Sequence, residues 1–257
     1  MSTRLDRAVA ERGLARSRSA AVALIRAGRV RVNDEVVVRS SSTVTPADAI
    51  SVESDPYVSR AAHKLAGALA DLDLDVAGCR ALDAGASTGG FTQVLPRSGC
   101  REVIAVDVGH GQLVAELRTD PRVISHEHLN VRELTLTHVG GRLVDLVVGD
   151  LSFISLTLVL PALTRVADPG GSLLLMVKPQ FEVGRERLGE GGVVRDPALH
   201  VAAVNGVIEA AAELGWVAHA VVPSRLPGPA GNREFFVLFA RAQVAEPVDI
   251  AAAVAAT

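Results

Sequence analysis

From Arg80 onward, short apolar runs alternate with longer segments whose apolar residues recur at helical spacing. The runs fall at 80–84, 103–107, 122–125, 143–149, 172–177, 216–222 and 234–240. Seven strands with intervening helices predict a doubly wound α/β sheet. Upstream, residues 3–12 read as a short helix, with Ser2 or Thr3 as its cap and Gly13 just past its end. Ser17 is placed to cap a second helix whose apolar face is Ala21, Leu24 and Ile25, closed by Gly28. Val30-Arg31-Val32, the turn pair Asn33-Asp34 and Val36 to Val38 form a hairpin signal. Residues 40–57, rich in Ser, Thr, Asp and Pro, mark a boundary, after which Ser59 opens an amphipathic helix over "SRAAHKLAGALADLDL". The pattern divides the chain into a domain at 1–54, a linker at 55–58, a larger domain at 59–242 and an Ala-rich tail at 243–257, expected to be a frayed helix without function.

Charge changes the picture at the N-terminus. Residues 1–31 hold eight arginines against Asp6 and Glu11, while the whole chain of 257 residues carries a net charge of −3. A small basic end on an acidic body points to a polyanionic partner. Helix, helix and hairpin in the stretch "RLDRAVAERGLARSRSAAVALIRAGRVRVNDEVV" resemble the S-four-like RNA-binding module of bacterial ribosomal and RNA-modifying proteins. The resemblance implies that Arg4, Arg16, Arg18, Arg26 and Arg29 lie near RNA phosphates, where counterion release supplies affinity.

Composition excludes other classes. Hydrophobic residues at 49% and charged residues at 21% fit a globular chain. The longest apolar candidate, around Leu143 to Leu160, is broken by Asp145 and Asp150, so no membrane span is expected. Arg4, Asp6 and Arg7 at the start do not read as a signal peptide. Cys79 and Cys100 offer neither metal spacing nor a disulfide framework, and are expected as free thiols in a reducing cytoplasm, with no metal bound. Lysine occurs twice, at Lys64 and Lys178, against 24 arginines. A lysine is a compact point charge with a readily shifted proton affinity, so these two positions are candidates for chemistry arginine cannot do.

"CRALDAGASTGGFTQVL" reads as a strand, a glycine-rich turn and a helix start. Its glycines let backbone approach a ligand, and the helix start offers free N–H groups. The spacing is D-x-G-x-x-x-G, which is similar to the first motif of class I methyltransferases. Asp107 ends the next strand, 22 residues after Gly85, where a carboxylate can accept hydrogen bonds from ribose hydroxyls. The cofactor candidates are therefore Asp83, Gly85, Ala86, Ser87, Thr88, Gly89, Gly90, Phe91, Asp107, Val108 and Asp150, with S-adenosyl-L-methionine as the cofactor. Asp83 and Asp150 suit its cationic sulfonium.

Asp107, Asp150 and Lys178 each follow an apolar run directly, at the carboxyl end of a predicted strand, where open α/β sheets bind ligands. Glu234 opens the last run. If that strand is antiparallel, Glu234 joins Asp150 and Lys178 at the same edge. Here the resemblance becomes specific. Lys64, Asp150, Lys178 and Glu234 resemble, in order, the Lys-Asp-Lys-Glu tetrad of FtsJ-type 2′-O-methyltransferases. "SRAAHKL", "GASTGGFT", "DLSFIS", "VKPQFE" and "GNREFF" together resemble the TlyA family, members of which are also called hemolysins. The likeness implies a class I methyltransferase fold (Rossmann-like, a seven-stranded mostly parallel sheet) behind a small α+β RNA-binding domain. It implies methylation of ribose 2′-hydroxyls in the RNA of both ribosomal subunits, releasing S-adenosylhomocysteine. Lys178 would then orient the hydroxyl and accept its proton, with Lys64 as an electrostatic partner. Arg60 and His63 beside Lys64, and Arg185, Arg187 and Arg195 in the glycine-rich stretch after Lys178, would reach RNA. Where the family's interdomain segment carries tryptophan, this chain reads Asp55-Pro56-Tyr57-Val58. A non-catalytic RNA-binding or ribosome-assembly factor is the alternative. A membrane-lytic protein is disfavoured by the absence of any spanning or strongly amphipathic cationic segment.

Overall fold

A computed structural model describes residues 2–53, 55–241 and 247–256. The chain separates into two compact units, Met1–Pro56 and Tyr57–Thr257, each with its own core.

The first unit contains β1 (Thr3–Arg4), α1 (Leu5–Glu11), α2 (Arg18–Arg26), β2 (Val30–Val32), β3 (Glu35–Val36), β4 (Thr43–Val44) and β5 (Ile50–Val52). Leu5, Val9, Ala21, Ile25, Val30 and Val44 form its core. Ser17 Oγ accepts from Ala20 N at 3.1 Å, so α2 begins where the sequence places its cap. Asn33 and Asp34 both have positive φ, 50° and 68°, the geometry of a two-residue hairpin turn between β2 and β3. The first helix starts later than expected. Thr3 and Arg4 pair antiparallel with Val44 and Thr43, so they are extended, and Arg4 rather than Ser2 or Thr3 precedes the helix. A tertiary partner 40 residues along overrides the local helix signal.

The second unit opens with α3 (Arg60–Asp71) and continues through β6 (Arg80–Ala84), α4 (Gly90–Arg97), β7 (Glu102–Val106), α5 (Ala115–Arg118), β8 (Val123–His126), β9 (Val144–Gly149), α6 (Leu160–Val166), β10 (Ala167–Val177), α7 (Pro179–Glu182), α8 (Pro197–Glu213), β11 (Val217–Pro223), β12 (Phe235–Ala240) and α9 (Ile250–Ala255). The seven strands form one sheet in the order β11-β12-β10-β9-β6-β7-β8. The pairs among β10, β9, β6, β7 and β8 are parallel, and β12 runs antiparallel to β10 and β11. Both sheet faces are buried, which is why the strands read as continuous apolar runs. Along β10, Leu173, Leu175 and Val177 join one core cluster while Leu174 and Met176 join the other.

The chain leaves β6 toward β7 and β8, then returns to place β9 on the opposite side of β6. That reversal opens a crevice at the carboxyl ends of β6 and β9. Two expectations change at the margins. Ser59 precedes α3 but makes no capping hydrogen bond; its Oγ lies against Gly90, where a Cβ would meet it at 2.3 Å. The tail is not frayed where it is described: α9 buries Ile250, Ala253 and Val254, and Asp249 Oδ1 accepts from Ala252 N at 2.8 Å. Residues 243–246 and 257 of the expected tail lie outside the described residues.

Candidate active site

The glycine-rich turn leaves β6 at Ala84. Gly85 takes φ +89°, and a Cβ there would lie 3.0 Å from Leu151 Cδ2 and 3.2 Å from the Asp150 carbonyl oxygen, so the turn admits no side chain. Gly89, at φ +101°, precedes α4. Ser87 and Thr88 are exposed, whereas Ala86 and Phe91 are buried. Asp107 braces this turn: its Oδ2 accepts from Ser87 N at 2.8 Å and its Oδ1 from Gly109 N at 2.6 Å. Each carboxylate oxygen keeps lone-pair capacity for a hydroxyl beyond these bonds.

Asp83 sits differently from expectation. It lines neither cavity described below and is fully buried, because it lies within β6 with both sheet faces covered. Its Oδ2 accepts from Thr92 Oγ1 at 2.6 Å, and its Oδ1 has no hydrogen-bond partner among the described residues. Burial pushes its carboxyl up to about 7, opposed by the Thr92 hydrogen bond and reinforced by Asp150 and Asp107. Asp83 is a buried support under the turn rather than part of a ligand-facing wall.

Four charged side chains from four separate elements meet at the crevice as two ion pairs. Lys64, on the buried face of α3, places Nζ 2.5 Å from Glu234 Oε2 at the entrance to β12. Because β12 is antiparallel and Phe235 pairs with Val177, Glu234 stands at the same sheet edge as Lys178. Lys178 Nζ lies 2.6 Å from Asp150 Oδ1, an ion pair without hydrogen-bond alignment, and donates to Ser152 Oγ at 2.8 Å. The direct partner of Lys178 is therefore Asp150, and that of Lys64 is Glu234. Lys64, expected as an electrostatic partner of Lys178, lines the same cavity wall as Lys178.

Two cavities flank the Gly85–Ser87 turn. One, of about 400 Å³, is lined by all four tetrad side chains together with Ser59, Arg60, Phe91 and Ser152. The other, of about 430 Å³, is lined by Asp107, Val108, Gln112, Leu129, Asn130, Val131, Leu151 and Ile154. Gly85, Ser87, Asp150 and Ser152 belong to both walls. The sequence reading missed Gln112, Leu129, Asn130, Ser152 and Phe153. They lie in loops, and only "DLSFIS" among the quoted motifs touched any of them. Phe153 is 91% exposed at the mouth of the second cavity.

The expected RNA contacts are spread over both units. Arg4 and Arg18 both engage Asp6, at 3.0 and 3.1 Å, while each stays about half exposed. Arg29 is turned to Asp55 at 2.8 Å, and Arg16 and Arg26 are exposed on the surface of the first unit. In the second unit Arg60 is exposed at the first cavity, and the His63 ring meets that of Tyr57 at 4.9 Å. Arg185 is exposed on the loop after α7. That loop is tied to "GNREFF" by Asn232, which accepts from Val194 N at 2.9 Å and donates to the Gly192 carbonyl at 3.0 Å.

A seven-stranded sheet with one reversed strand, a glycine-rich first turn and an acid ending the second strand together define the class I methyltransferase architecture. Residues 57–241 match the family model for FtsJ-like methyltransferase, and residues 3–50 match that for the S4 domain. The chain is 52% identical over 237 residues to the 16S/23S rRNA (cytidine-2′-O)-methyltransferase TlyA of Mycobacterium tuberculosis, covering 91% of this chain and 88% of that protein. It is 35% identical over 187 residues to the 23S rRNA (cytidine-2′-O)-methyltransferase TlyA of Campylobacter jejuni, covering 72% of each. A solved hemolysin-named protein from Streptococcus thermophilus is similar with a TM-score of 0.77 and 35% identity, over 99% of this chain and 95% of that one. The chain belongs to the FtsJ-like methyltransferases, within them to the TlyA family.

Proposed function

We propose that this protein transfers a methyl group from S-adenosyl-L-methionine to ribose 2′-hydroxyls of ribosomal RNA, in both subunits. The observation that carries the reading is the meeting of two Lys–carboxylate pairs, one buried and one partly buried, at one cavity wall beside the glycine turn. The residues present fit the cofactor. The second cavity combines the apolar Val108, Leu129, Val131 and Ile154 with the polar Asp107, Gln112 and Asn130, a lining suited to a nucleoside. The exposed Ser87 and Thr88 of the turn stand close to the junction of the two cavities, and Asp150 there suits a cation.

Bound there, the cofactor supplies an electrophilic methyl group on a positively charged sulfur. The protein must bring a ribose oxygen in line with it and relieve that oxygen of its proton. Lys178, fixed by Asp150 and Ser152, orients the hydroxyl; the ammonium has no lone pair, so it takes up the hydroxyl proton only as the free amine, after passing its own proton to solvent, and orientation is the larger share. Orientation of this kind is worth on the order of 7 kcal/mol in ideal cases. Lys64 and Glu234 complete the wall and hold α3 against β12. Arg4, Arg16, Arg18, Arg26 and Arg29 of the first unit and Arg60, His63 and Arg185 of the second are proposed RNA contacts. The compartment that fits is the cytoplasm, where ribosomal subunits are assembled. No described helix is long and apolar enough to cross a membrane.

The test is transfer of labelled methyl to unmodified ribosomal subunits by the wild type and by Lys178→Ala. We expect label with the wild type and a loss of roughly a hundredfold or more in the variant. Equal label with both removes Lys178 from the proposed role. No label with either protein, despite cofactor binding, favours the assembly-factor reading.

A further inference from the structure

Two segments carry the residues around Lys178. The loop after β9 holds Asp150, Ser152 and Phe153, and α7 after β10 begins directly behind Lys178. At the near end they are joined by Lys178 to Asp150 and Ser152. At the far end they are joined by Glu182, the last residue of α7. Both of its carboxylate oxygens accept from the loop: Ser155 Oγ donates to Oε2 at 2.5 Å, and Leu156 N donates to Oε1 at 2.9 Å. Ser155 Oγ also accepts from Thr157 N at 3.2 Å, so the same hydroxyl caps the short helical turn Leu156–Leu158.

Between these ends the backbone is held in an unfavourable shape. Phe153 has φ +64°, a region that a bulky residue occupies only where its surroundings fix it. Its ring lies 5.3 Å from that of Phe181, the neighbour of Glu182. Leu151, Ser152 and Ile154 of the same loop are walls of the cavities, whereas Glu182 lines neither.

We propose that Glu182 is a positioning residue for methyl transfer: its carboxylate clamps the Ser155 end of the loop to α7. The clamp sets where Ser152 meets Lys178 and where Leu151 and Ile154 face the second cavity. The inference rests on the methyl-transfer reading above. Burial pushes the Glu182 carboxyl above its ordinary range, while the Ser155 and Leu156 donors oppose that shift. A carboxylate in this place is costly unless its donors are present, which couples its position to that of the loop.

The test compares Glu182→Ala, Glu182→Gln, Ser155→Ala and the double alanine variant. S-adenosylhomocysteine affinity is measured by calorimetry, and methyl transfer to unmodified subunits by single-turnover rate. Glu182→Ala is expected to weaken S-adenosylhomocysteine several-fold and to slow transfer on the order of tenfold to a hundredfold, with the subunit concentration that half-saturates the single-turnover rate little changed. Glutamine keeps an acceptor for Leu156 N and an amide toward the Ser155 hydroxyl, which can turn to accept from it. Glu182→Gln should therefore restore most of both losses. The double variant should cost little more than either single one, as expected for two ends of one contact. Wild-type rate and affinity in Glu182→Ala, or a glutamine variant as impaired as alanine, overturns the proposal. Should Glu182→Ala fail to fold, Ser155→Ala decides: loss in the same direction supports the clamp, and wild-type behaviour overturns it. A wild type that binds S-adenosylhomocysteine but transfers no methyl overturns the methyl-transfer reading instead, and the affinity comparison still tests the clamp.

Discussion

Lys64 Nζ and Glu234 Oε2 stand 2.5 Å apart although 170 residues separate them in the chain, and both side chains are buried. Taking both charges out of water is costly, and their attraction offsets that cost only while both remain. Removing one partner leaves an uncompensated buried charge, with a penalty of about 3–5 kcal/mol. Lys64→Ala and Glu234→Ala should each lower Tm by on the order of 10 °C. The apolar pair Lys64→Met with Glu234→Leu should recover much of that stability and still fail to transfer methyl. Calorimetric unfolding beside the labelled-methyl assay separates the two effects. A stable, fully active double variant would reduce the pair to a structural role.

Asp83 gives a pH dependence of the less usual sign. Its carboxyl is raised to about 7 in the folded protein against 3.8 ordinarily, so the folded state holds the proton more tightly than the unfolded one. The residue is therefore harmless below about pH 4 and increasingly destabilising as pH rises toward 7. Asp83→Asn keeps an acceptor for Thr92 and cannot ionise. Its Tm should match the wild type near pH 4 and exceed it by several degrees at pH 8. A difference between the two proteins that is independent of pH would show that Asp83 is not ionising in this range.

Asp6 behaves in the opposite sense. Hydrogen bonds from Arg4 first, then Arg18, hold its carboxyl at about 2, with burial opposing them. Its contribution is present above the unfolded value near 4 and is lost as pH falls through 2. Because Arg4 and Arg18 are half exposed, screening reduces that contribution to about 1–2 kcal/mol. Asp6→Asn should destabilise the first unit at pH 7, seen as faster amide exchange in α1 of the full chain, with the deficit gone near pH 2. The same change releases two arginines from an acid, so RNA affinity at low salt should rise rather than fall.

Strand ends were the most legible part of the site. Asp107, Asp150 and Lys178 each follow a buried strand directly, and a charge placed after a continuous apolar run has few purely structural reasons to be there. Glu234 was legible once its strand was taken as antiparallel, which the pairing of β12 with β10 bears out. The partners of the two lysines were not legible, because Lys64 is on a helix whose rotation over the sheet depends on packing with α4. Ser152, Asn130, Gln112 and Glu182 lie in loops or a one-turn helix, where no period marks a side chain's direction. Thr3 and Arg4 were misread because Thr43 and Val44 convert a helix start into a strand.

The first turn of α3 packs directly on the start of α4. Gly90 opens α4, and a Cβ there would meet Ser59 Oγ at 2.3 Å, Ala61 Cβ at 2.9 Å and Ala62 N at 3.0 Å. The second and third of these cannot turn aside, since one is fixed by the helix and the other is its backbone. Gly90→Ala must therefore push the start of α3 outward, at about 1–3 kcal/mol for overpacking. Lys64 lies one turn further along that helix, so its reach to Glu234 changes with the displacement. The variant should lose methyl transfer in greater proportion than its modest fall in Tm. Ser59→Gly added to it should return only part of the activity, because the contacts with Ala61 and Ala62 remain. Gly206→Ala in α8 is the control: apart from its chain neighbours and the surrounding helix backbone, no described atom lies within 4 Å of the added Cβ, and it should gain roughly 0.5–1 kcal/mol with activity unchanged. If Gly90→Ala proves as active and as stable as that control, α3 has a freedom of movement that the ion pair to Glu234 does not allow.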